Sequence, residues 1–307
     1  MTLTRIGILA LPGAMRSSVA ITLDLLDTAN RLASAAGKPT PFAYAELDPA
    51  EPLPSDLDAL VVPGLGACSE AELDERLSRP DAIAAIALLQ GAADAGTLLA
   101  ASCSSVFLLG AAGLLAGRRA TTSWWLAPLL GRRHPDVTID PDQLIVEDRR
   151  VITAGAAMAQ MDLMLALIVR YAGAKLAALC ARYLLLDERR SQSRYMALGF
   201  LAARDPIVAR AEAWAQKHLG EPFSINDLAC AVGLAPRTFS RRVAGAVGMS
   251  PVRFVQRLRV EAAVHLIETT RLSIEEVAHQ VGYAESSTLR RMILREMNLR
   301  PGELRAA

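Results

Sequence analysis

The pattern of apolar positions divides the chain into two parts with different periods. Up to about residue 175, short and continuously apolar runs alternate with runs whose apolar residues recur every three or four positions. Continuous apolar runs are typical of strands that are buried on both faces. Their alternation with helices predicts a parallel sheet covered by helices on both sides. The remainder of the chain contains only helical patterns.

The predicted elements of the first part follow one another as in an α/β fold. The strands are expected at residues 5–11, 42–46, 59–62, 97–101, 137–139, 144–146 and 151–153. The helices are expected at residues 18–35, 82–95, 104–112 and 160–172. We therefore predict a flavodoxin-like α/β domain over residues 1–185, a linker over residues 186–205 and an all-α domain over residues 206–307.

The second part repeats one pattern twice. FSINDLACAVGLAPRTFSRRV (223–243) and LSIEEVAHQVGYAESSTLRRMI (272–293) each contain a Ser-Ile start, an apolar-Ala pair, a Val-Gly turn and a second helix with adjacent arginines. The serines are good helix N-caps, and the glycines suit the end of the first helix. Each segment therefore predicts a helix-turn-helix unit. An unbroken apolar stripe over residues 251–269 predicts one long helix between the two units.

The second helix of each unit has a polar face opposite its apolar residues. An exposed arginine there fits the major groove of double-stranded DNA, where it can bond guanine bidentately. The candidate DNA-binding residues are Arg237, Ser240, Arg241, Arg242, Glu285, Ser287, Arg290 and Arg291. A helical bundle without a DNA role would explain one such unit but is a poor explanation for two. Because the two exposed faces differ, we expect an asymmetric DNA site with two unlike sub-sites.

Residues 207–305 resemble the AraC/XylS family of transcription regulators. The resemblance rests on RLRVEAAVHLI, on LSIEEVAHQVGY and on Pro301 after the final helix. It implies a sequence-specific regulator that contacts RNA polymerase if it is an activator. The chain departs from the usual residues of the family at four positions. It has Ala235 and Arg300 where members usually have Ser or Thr, Ile293 where they have Phe, and Asn298 where they have Gly. None of these departures falls on a predicted groove-facing position, although Ala235 is a weak cap for its helix.

A pinch of small residues ends one predicted strand of the first part. The sequence Ala-Ser-Cys-Ser-Ser at 101–105 joins a strand to a helix, which lifts the Cys103 side chain above the sheet. Pro-Gly-Leu-Gly at 63–66 ends another strand and offers further backbone amides at the carboxyl edge, where such sheets bind ligands. The candidate ligand-binding residues are Met15, Arg16, Gly64, Leu65, Gly66, Cys103, Ser104, Ser123 and Trp124.

Four stretches of the first part resemble the PfpI-like branch of the class I glutamine-amidotransferase superfamily. They are RIGILALPGA, VVPGLGA, LLAASCSSVFLLGAAGLLAGRRATTSWW and ITAGAAMAQMDLML. Together with the second part, they resemble the GlxA-type subgroup of AraC regulators. Enzymes of the superfamily use the elbow cysteine, here Cys103, and a histidine where this chain has Ser123. Residues 13–18 contain no acid, and the one histidine of this part, His134, lies in a segment that we expect at the surface.

We therefore predict that the protein is not an enzyme and that no residue is catalytic. The alternative is a PfpI-like cysteine hydrolase or deglycase, or a thiol redox sensor, that uses Cys103. Trp124 and Trp125 either line a pocket that suits an ammonium group or pack in the core. The resemblance implies a small-molecule effector, such as an amine or an amino-acid derivative, and a homodimer. Arg16 would instead suit a ligand carboxylate.

Charge is distributed unevenly along the 307 residues. The net charge is +1, but residues 224–307 contain 12 arginines and 8 acids and the rest of the chain is net acidic. Only the C-terminal part therefore has the sign that attracts phosphate. The 4 cysteines lack metal-site or disulfide-framework spacing, so we predict neither a metal nor a cofactor. Residues 96–117 are uncharged, but a strand, turn and helix explain them better than a membrane span, and we expect a cytoplasmic protein.

Overall fold

The computed structural model describes residues 3–187, 189, 191–297 and 299–305. The chain forms two compact units, Met1–Gln192 and Ser193–Ala307. The boundary between them falls inside the segment predicted as a linker at residues 186–205. The residues that follow the boundary pack within the second unit instead of forming an extended connection.

The first unit is built on a mixed sheet. Its strands are β1 (Thr4–Ile8), β2 (Phe42–Glu46), β3 (Ala59–Val62), β4 (Leu98–Ser102), β7 (Ile145–Asp148) and β8 (Val151–Ala154), and β5 (Arg119–Ala120) pairs separately with β6 (Thr138–Ile139). In the described residues the main sheet has the order β2-β1-β3-β4-β8-β7. Neighbours are parallel except β7 and β8, because a tight turn with Arg149 at φ 59° reverses the chain.

Helices cover both faces of this sheet. They are α1 (Arg16–Ala35), α2 (Glu70–Ser78), α3 (Pro80–Asp94), α4 (Val106–Ala111), α5 (Ala127–Arg133), α6 (Ala159–Ala172) and α7 (Ala174–Tyr183). One apolar core lies under α2 to α5 and another under α1, α6 and α7. The fold class predicted from the sequence is confirmed. The prediction missed α2, α5 and α7, which are 9, 7 and 10 residues long.

The stretch at residues 96–117 has no charged residue and folds around β4. It comprises that strand, the turn at the elbow, the short helix α4 and the turns after α4, and the strand and most of α4 are buried in the core of the first unit. Among the described residues, no helix has both the length and the apolar character needed to cross a membrane.

The second unit is entirely helical. Its helices are α8 (Leu198–Ala202), α9 (Pro206–Lys217), α10 (Ile225–Ala231), α11 (Pro236–Val247), α12 (Pro251–Thr269), α13 (Ile274–Gln280), α14 (Ser286–Met297) and α15 (Pro301–Leu304). Helices α10 and α11 form the first helix-turn-helix unit, and α13 and α14 form the second. Both units begin with a capping box, Ser224 with Asp227 and Ser273 with Glu276.

The connecting helix α12 packs against both units in succession. Its first half buries Phe254 and Leu258, as the apolar stripe predicts. In its second half Val260, Ala263 and Ile267 are buried in the core of the second helix-turn-helix unit. Ala262 and Leu266 continue the four-residue spacing of Phe254 and Leu258 but are only half-buried, because the buried face rotates where the helix changes neighbours.

Candidate DNA interface and elbow site

The second helices α11 and α14 bury equivalent faces. Phe239, Val243 and Val247 of α11 correspond to Leu289, Ile293 and Met297 of α14, all buried. The turn of the second helix-turn-helix unit is one residue longer than that of the first. Aligning the two units on their buried residues therefore shifts the second helices by one position relative to an alignment on the turn glycines. The core alignment pairs Arg241 with Arg291.

Three predicted arginines lie on the exposed faces of these helices. Arg237 and Arg241 are one turn apart on α11, and Arg291 is exposed on α14 near Ser287. Within the described part of the chain, these arginines make no ion pair or hydrogen bond. Their guanidinium groups are therefore available to an outside partner such as a base or a phosphate.

The other two predicted arginines are engaged inside the unit. Arg242 forms an ion pair with Asp205 at 3.2 Å, and Asp205 caps α9 by accepting from the N–H of Ile207 at 2.9 Å. Arg290 lies 3.6 Å from Glu275, which also accepts from the Ser286 hydroxyl at 3.0 Å. These contacts join α11 to α9 and α14 to α13, so both arginines help to hold the helices in place.

The remaining predicted residues differ in exposure. Ser240 is half-buried, whereas Ser287 is exposed. Glu285 is exposed immediately before α14, and its carbonyl accepts from the N–H of Leu289 at 3.4 Å. The sequence analysis did not single out Leu294, which is 49% exposed one turn beyond Arg290 and Arg291. This side chain adds an apolar surface to the same face of α14.

Arg259 of α12 connects the two helix-turn-helix units. Its guanidinium carbon lies 5.5 Å from the ring centre of Phe223, just before α10, and 5.6 Å from that of Tyr283, in the turn of the second unit. Its Nη1 donates to the carbonyl of Gly282 at 3.2 Å. Trp214 of α9 packs edge-on against Phe223 with ring centres 5.2 Å apart. This cluster, which the sequence analysis missed, fixes the two units relative to each other.

A second arginine of α12 is fully buried. Arg257 is 0% exposed, and its Nη1 lies 3.4 Å from Glu296, which is 1% exposed on α14. Its Nη2 donates to the carbonyl of Ser193, and its Nε lies 3.8 Å from Glu261 one turn later. Part of the arginine excess of this unit is therefore structural. The i,i+4 spacing of Arg257 and Glu261 is equally typical of an exposed pair, so nothing in the sequence indicated this burial.

In the first unit, Cys103 occupies a strained turn directly after β4. Its φ is 57°, in the left-handed region that residues other than glycine rarely adopt. Its N–H donates to the carbonyl of Gly155 at 2.8 Å. Gly64 lies against it, since a methyl group on Gly64 would be 3.2 Å from the Cys103 Cβ. The predicted elbow and the loop at 63–66 therefore meet.

The Cys103 thiol is buried among hydroxyl groups. It is 4% exposed, and the Ser123 hydroxyl donates to Sγ at 3.0 Å. Burial raises the pKa of the Cys103 thiol, while hydrogen bonds from Ser123 and Ser104 act in the opposite direction. The thiol is therefore the dominant form at neutral pH.

The segment around His134 has exposed residues on both sides, Arg132 and Pro135, while His134 itself is half-buried. Its ring is half-buried against Gly110 of α4, and burial lowers its pKa. Gly110 follows Cys103 by two helical turns, or about 10 Å. No hydrogen bond in the described residues joins a histidine or an acid to the Cys103 thiol.

A buried polar chain leads away from Gly64. The Ser18 hydroxyl accepts from the N–H of Gly64 at 3.2 Å, and the Ser18 carbonyl accepts from Thr22 at 2.8 Å. Gln160 of α6 donates to the Thr22 hydroxyl at 2.8 Å, and all three side chains are fully buried. The Gln160 Oε1 has no hydrogen-bond partner within the residues that the structure describes. Nothing in the sequence distinguished these helical polar residues from solvent-facing ones.

Gln192 reaches the same region from the end of the first unit. Its Nε2 donates to the carbonyls of Thr122 at 2.8 Å and Gln143 at 3.3 Å, and its Oε1 accepts from the N–H of Ala156 at 3.2 Å. Only a glycine fits beside it at position 155, because a Cβ there would collide with the Gln192 amide. Gln192 was not predicted as a site residue because it lies in the segment predicted as a linker.

The other predicted ligand-binding residues surround the elbow unevenly. The Met15 N–H donates to the carbonyl of Gly64 at 2.8 Å, which ties the start of α1 to the loop at 63–66. Leu65 is buried, whereas Arg16 and Gly66 are exposed. Trp124 is half-buried and meets Trp125 edge-on, with ring centres 5.2 Å apart. No group of three or more potential metal-binding side chains occurs among the described residues.

Two family models match the chain, one in each unit. Residues 44–170 match the DJ-1/PfpI family, and residues 228–307 match a helix-turn-helix domain. The HTH-type transcriptional regulator ArgR of Pseudomonas aeruginosa is 28% identical over 291 residues, covering 91% of this chain and 86% of that protein.

The HTH-type transcriptional regulator GbdR of the same species is 28% identical over 204 residues, or 66% of this chain. The chain spans 55% of that relative's length. The crystal structure of an AraC family transcriptional regulator from Pseudomonas putida is 25% identical, covers 59% of this chain and 99% of that one, and gives a TM-score of 0.46. The chain thus combines an N-terminal domain of the DJ-1/PfpI family with a C-terminal AraC-type helix-turn-helix domain, and it is similar over most of its length to a transcription regulator.

Proposed function

We propose that the protein is a transcription regulator that reads double-stranded DNA through α11 and α14. The observation that carries this proposal is the equivalent placement of Arg241 and Arg291 on the exposed faces of the two second helices. Arginine at such a position suits bidentate contact with guanine, and the neighbouring exposed residues differ between the helices. The DNA site is therefore asymmetric, with one sub-site for each helix.

The proposed role of the first unit is to bind a small effector at the elbow. The buried Gln160 Oε1 accepts no hydrogen bond within the described residues, and a buried acceptor is costly unless a donor reaches it. The side chains of this region, Ser18, Thr22, Gln160 and Ser123, are uncharged. They favour a ligand that offers N–H or O–H donors, such as an amine or an amino-acid derivative.

Catalysis by Cys103 is not part of this proposal. A cysteine nucleophile needs a lowered pKa or an adjacent base, whereas burial raises the pKa of this thiol. Ser123, at 3.0 Å from Sγ, cannot act as a general base at neutral pH. A hydrolase or deglycase and a thiol redox sensor remain the competing assignments, and each requires a reactive Cys103.

A homodimer belongs to the same proposal. Four apolar side chains of α6, α7 and the residues that follow are exposed, namely Val169 (47%), Leu179 (42%), Tyr183 (63%) and Leu185 (91%). Of these, Val169 lines a groove between α6 and α7 together with Arg182 and Asp187, and two copies related by a twofold axis could pair that arginine with that aspartate. Light scattering should give a dimer mass for the full chain and a monomer mass for Leu185→Asp. A wild-type monomer would remove dimerisation from the proposal. Contact with RNA polymerase applies if the protein activates transcription.

Selection of DNA from a random-sequence library by the purified full chain tests DNA reading. The proposal expects a discrete, asymmetric motif whose binding survives competitor DNA. Enrichment without a motif would contradict it.

For the effector, thermal unfolding is measured with a panel of amines and amino acids on wild type and on Gln160→Leu. An amine that stabilises only the wild type supports the elbow site. Equal stabilisation of both proteins would place the ligand elsewhere, and no stabilisation by any compound would remove this ligand class.

A further inference from the structure

Two consecutive residues at the boundary between the units are both buried. Gln192 is the last residue of the first unit and Ser193 is the first of the second, and each is 1% exposed. A connection that only tethered two domains would not need buried, hydrogen-bonded residues. The contacts of each residue within its own unit indicate a larger role.

Gln192 is bound close to the elbow of the first unit. It donates to the carbonyl of Thr122, and the Thr122 hydroxyl donates to the carbonyl of Cys103 at 2.7 Å. Thr122 also precedes Ser123, whose hydroxyl touches the Cys103 thiol. A shift of the Thr122–Ser123 backbone by a ligand would therefore change the hydrogen bonds that hold Gln192.

Ser193 is held in the second unit by the buried Arg257. That guanidinium donates to the Ser193 carbonyl and pairs with Glu296 of α14 at 3.4 Å. One turn later on α12, the backbone amide of Leu198 at the start of α8 lowers the pKa of Glu261, against the larger effect of burial. Arg257 is thus the side chain of α12 that binds the segment following the boundary.

The same segment packs against both DNA-reading helices. The turn at Ser193–Tyr195 contacts α14, and α8 contacts α11. Its apolar residues Met196, Leu198, Leu201 and Ala202 are buried. Residues 193–202 therefore form part of the support on which α11 and α14 rest.

We propose that residues 192–202 are a strap that transmits the state of the elbow to α11 and α14, with Gln192 and Arg257 as its positioning residues. The strap rests on the proposed function, because it needs the elbow to have two states and the helices to read DNA. A ligand switches the protein only if it binds one of those states better. Couplings of this kind usually change affinity by about 5- to 150-fold.

The test uses the full chain without any ligand, and a DNA fragment that the wild type selects from a random library. Gln192→Glu retains the size of the side chain. It replaces the amide nitrogen, which donates to the carbonyls of Thr122 and Gln143, with a carboxylate oxygen. Gln192→Ala removes all of the contacts. The control is Asn30→Ala, because the Asn30 amide also bonds to backbone of the first unit, at Phe42, but lies far along the chain from the strap.

Hydrogen exchange and DNA affinity are measured on all four proteins. The strap predicts faster exchange in α8, α11 and α14 and a change in DNA affinity of about fivefold or more for both Gln192 variants. Asn30→Ala should leave these values at wild type even if it loosens the first unit. Changes confined to the first unit, with wild-type exchange in α11 and α14, would overturn the strap.

A fourth variant tests the other end of the strap. Arg257→Lys retains a charge for Glu296 but loses the forked guanidinium that also reaches Ser193. It should accelerate exchange at residues 193–202 and abolish the additional effect of Gln192→Glu on DNA affinity. Fully additive effects of the two substitutions would contradict a shared strap. If the wild type selects no DNA motif, the proposed function fails, and exchange in α11 and α14 still decides the strap.

Discussion

Gly233 and Gly282 occupy the same turn of the two helix-turn-helix units, with φ of 74° and 79°, but only Gly282 is closely packed. A methyl group on Gly282 would collide with the carbonyl oxygen of Leu219 and lie 3.1 Å from Nη2 of Arg259. Apart from the residues adjoining Gly233 in the chain, no atom of the described residues lies within 4 Å of the corresponding point on Gly233. The second turn is therefore fixed by its neighbours, whereas the first is fixed only by its backbone conformation.

Alanine substitution should separate these two causes. Gly233→Ala should cost about 1–2 kcal/mol in the free energy of unfolding, because alanine is strained in the left-handed region. Gly282→Ala should cost about 1–3 kcal/mol more, because it also displaces packed backbone. Urea unfolding of the second unit, followed by hydrogen exchange of α12, measures both. Equal costs would show that Leu219 moves aside freely.

Arg259 should control how the two units act together on DNA. Arg259→Ala removes the stacking on Phe223 and Tyr283 and the bond to Gly282. We expect affinity for the full two-part site to fall about tenfold, or about 1.4 kcal/mol, while affinity for each isolated sub-site stays constant. Arg259→Lys preserves the charge but not the planar stacking, and should behave like alanine. Full rescue by lysine would mean that charge alone matters.

Cys103 should be slow to alkylate at neutral pH. Cys68 and Cys230 are exposed, so iodoacetamide should label them first at pH 7.5. Because burial raises the pKa of Cys103, its labelling should accelerate only as the pH rises above the usual range of a thiol. Ser123→Ala should slow labelling further by removing a hydrogen bond that favours the thiolate. Rapid labelling with no pH dependence between about pH 6 and 8 would support the enzyme or redox alternative.

Glu261 should make the second unit less stable as the pH rises. Burial is the main reason that the pKa of Glu261 is raised to about 7. The charge of Arg257 and the backbone amide of Leu198 lower this pKa, whereas the charge of Glu212 raises it. The folded state therefore binds a proton that the unfolded state releases near its ordinary value of 4.5. Stability is greatest below that value, falls as the pH approaches about 7, and is then constant.

Glu261→Gln should remove most of that slope and stabilise the unit at pH 8 by about 1–3 kcal/mol. Urea unfolding at several pH values, followed by exchange of α12, measures the slope. Gln256 lies on the same helix as Glu261, and its side chain accepts a hydrogen bond from Arg295 of α14 at 3.0 Å. The control is Gln256→Ala, which should retain the wild-type slope. A slope that Glu261→Gln leaves unchanged would assign the titration to another group.

The repeated patterns of this chain were visible in the sequence because they are local. Capping serines, turn glycines and periodic apolar residues lie within a few positions of one another, so the helix-turn-helix units and most strands could be predicted. The elbow at Cys103 was also predicted, because a run of small residues marks a strand-to-helix turn.

The missed features depend on contacts between distant segments. Gln160 meets Thr22 across 138 positions, and Arg257 meets Glu296 across 39. No periodic signal distinguishes a buried polar residue from an exposed one on the same helix, so the net charge of residues 224–307 included Arg257 although it is buried. Gln192 was assigned to a linker because polar and charged residues surround it, although its amide is bound inside the fold.

The most direct test of DNA reading compares three arginines of α11 and α14 on systematically varied DNA. Arg241→Ala and Arg291→Ala should each lose about 1–3 kcal/mol of discrimination at a different sub-site of the selected motif. In the wild type, the guanidinium of Arg242 is paired with Asp205. Arg242→Ala should therefore weaken binding to all sequences to a similar extent. If Arg241→Ala and Arg291→Ala instead weaken every sequence equally, the two helices do not read bases and the account is contradicted.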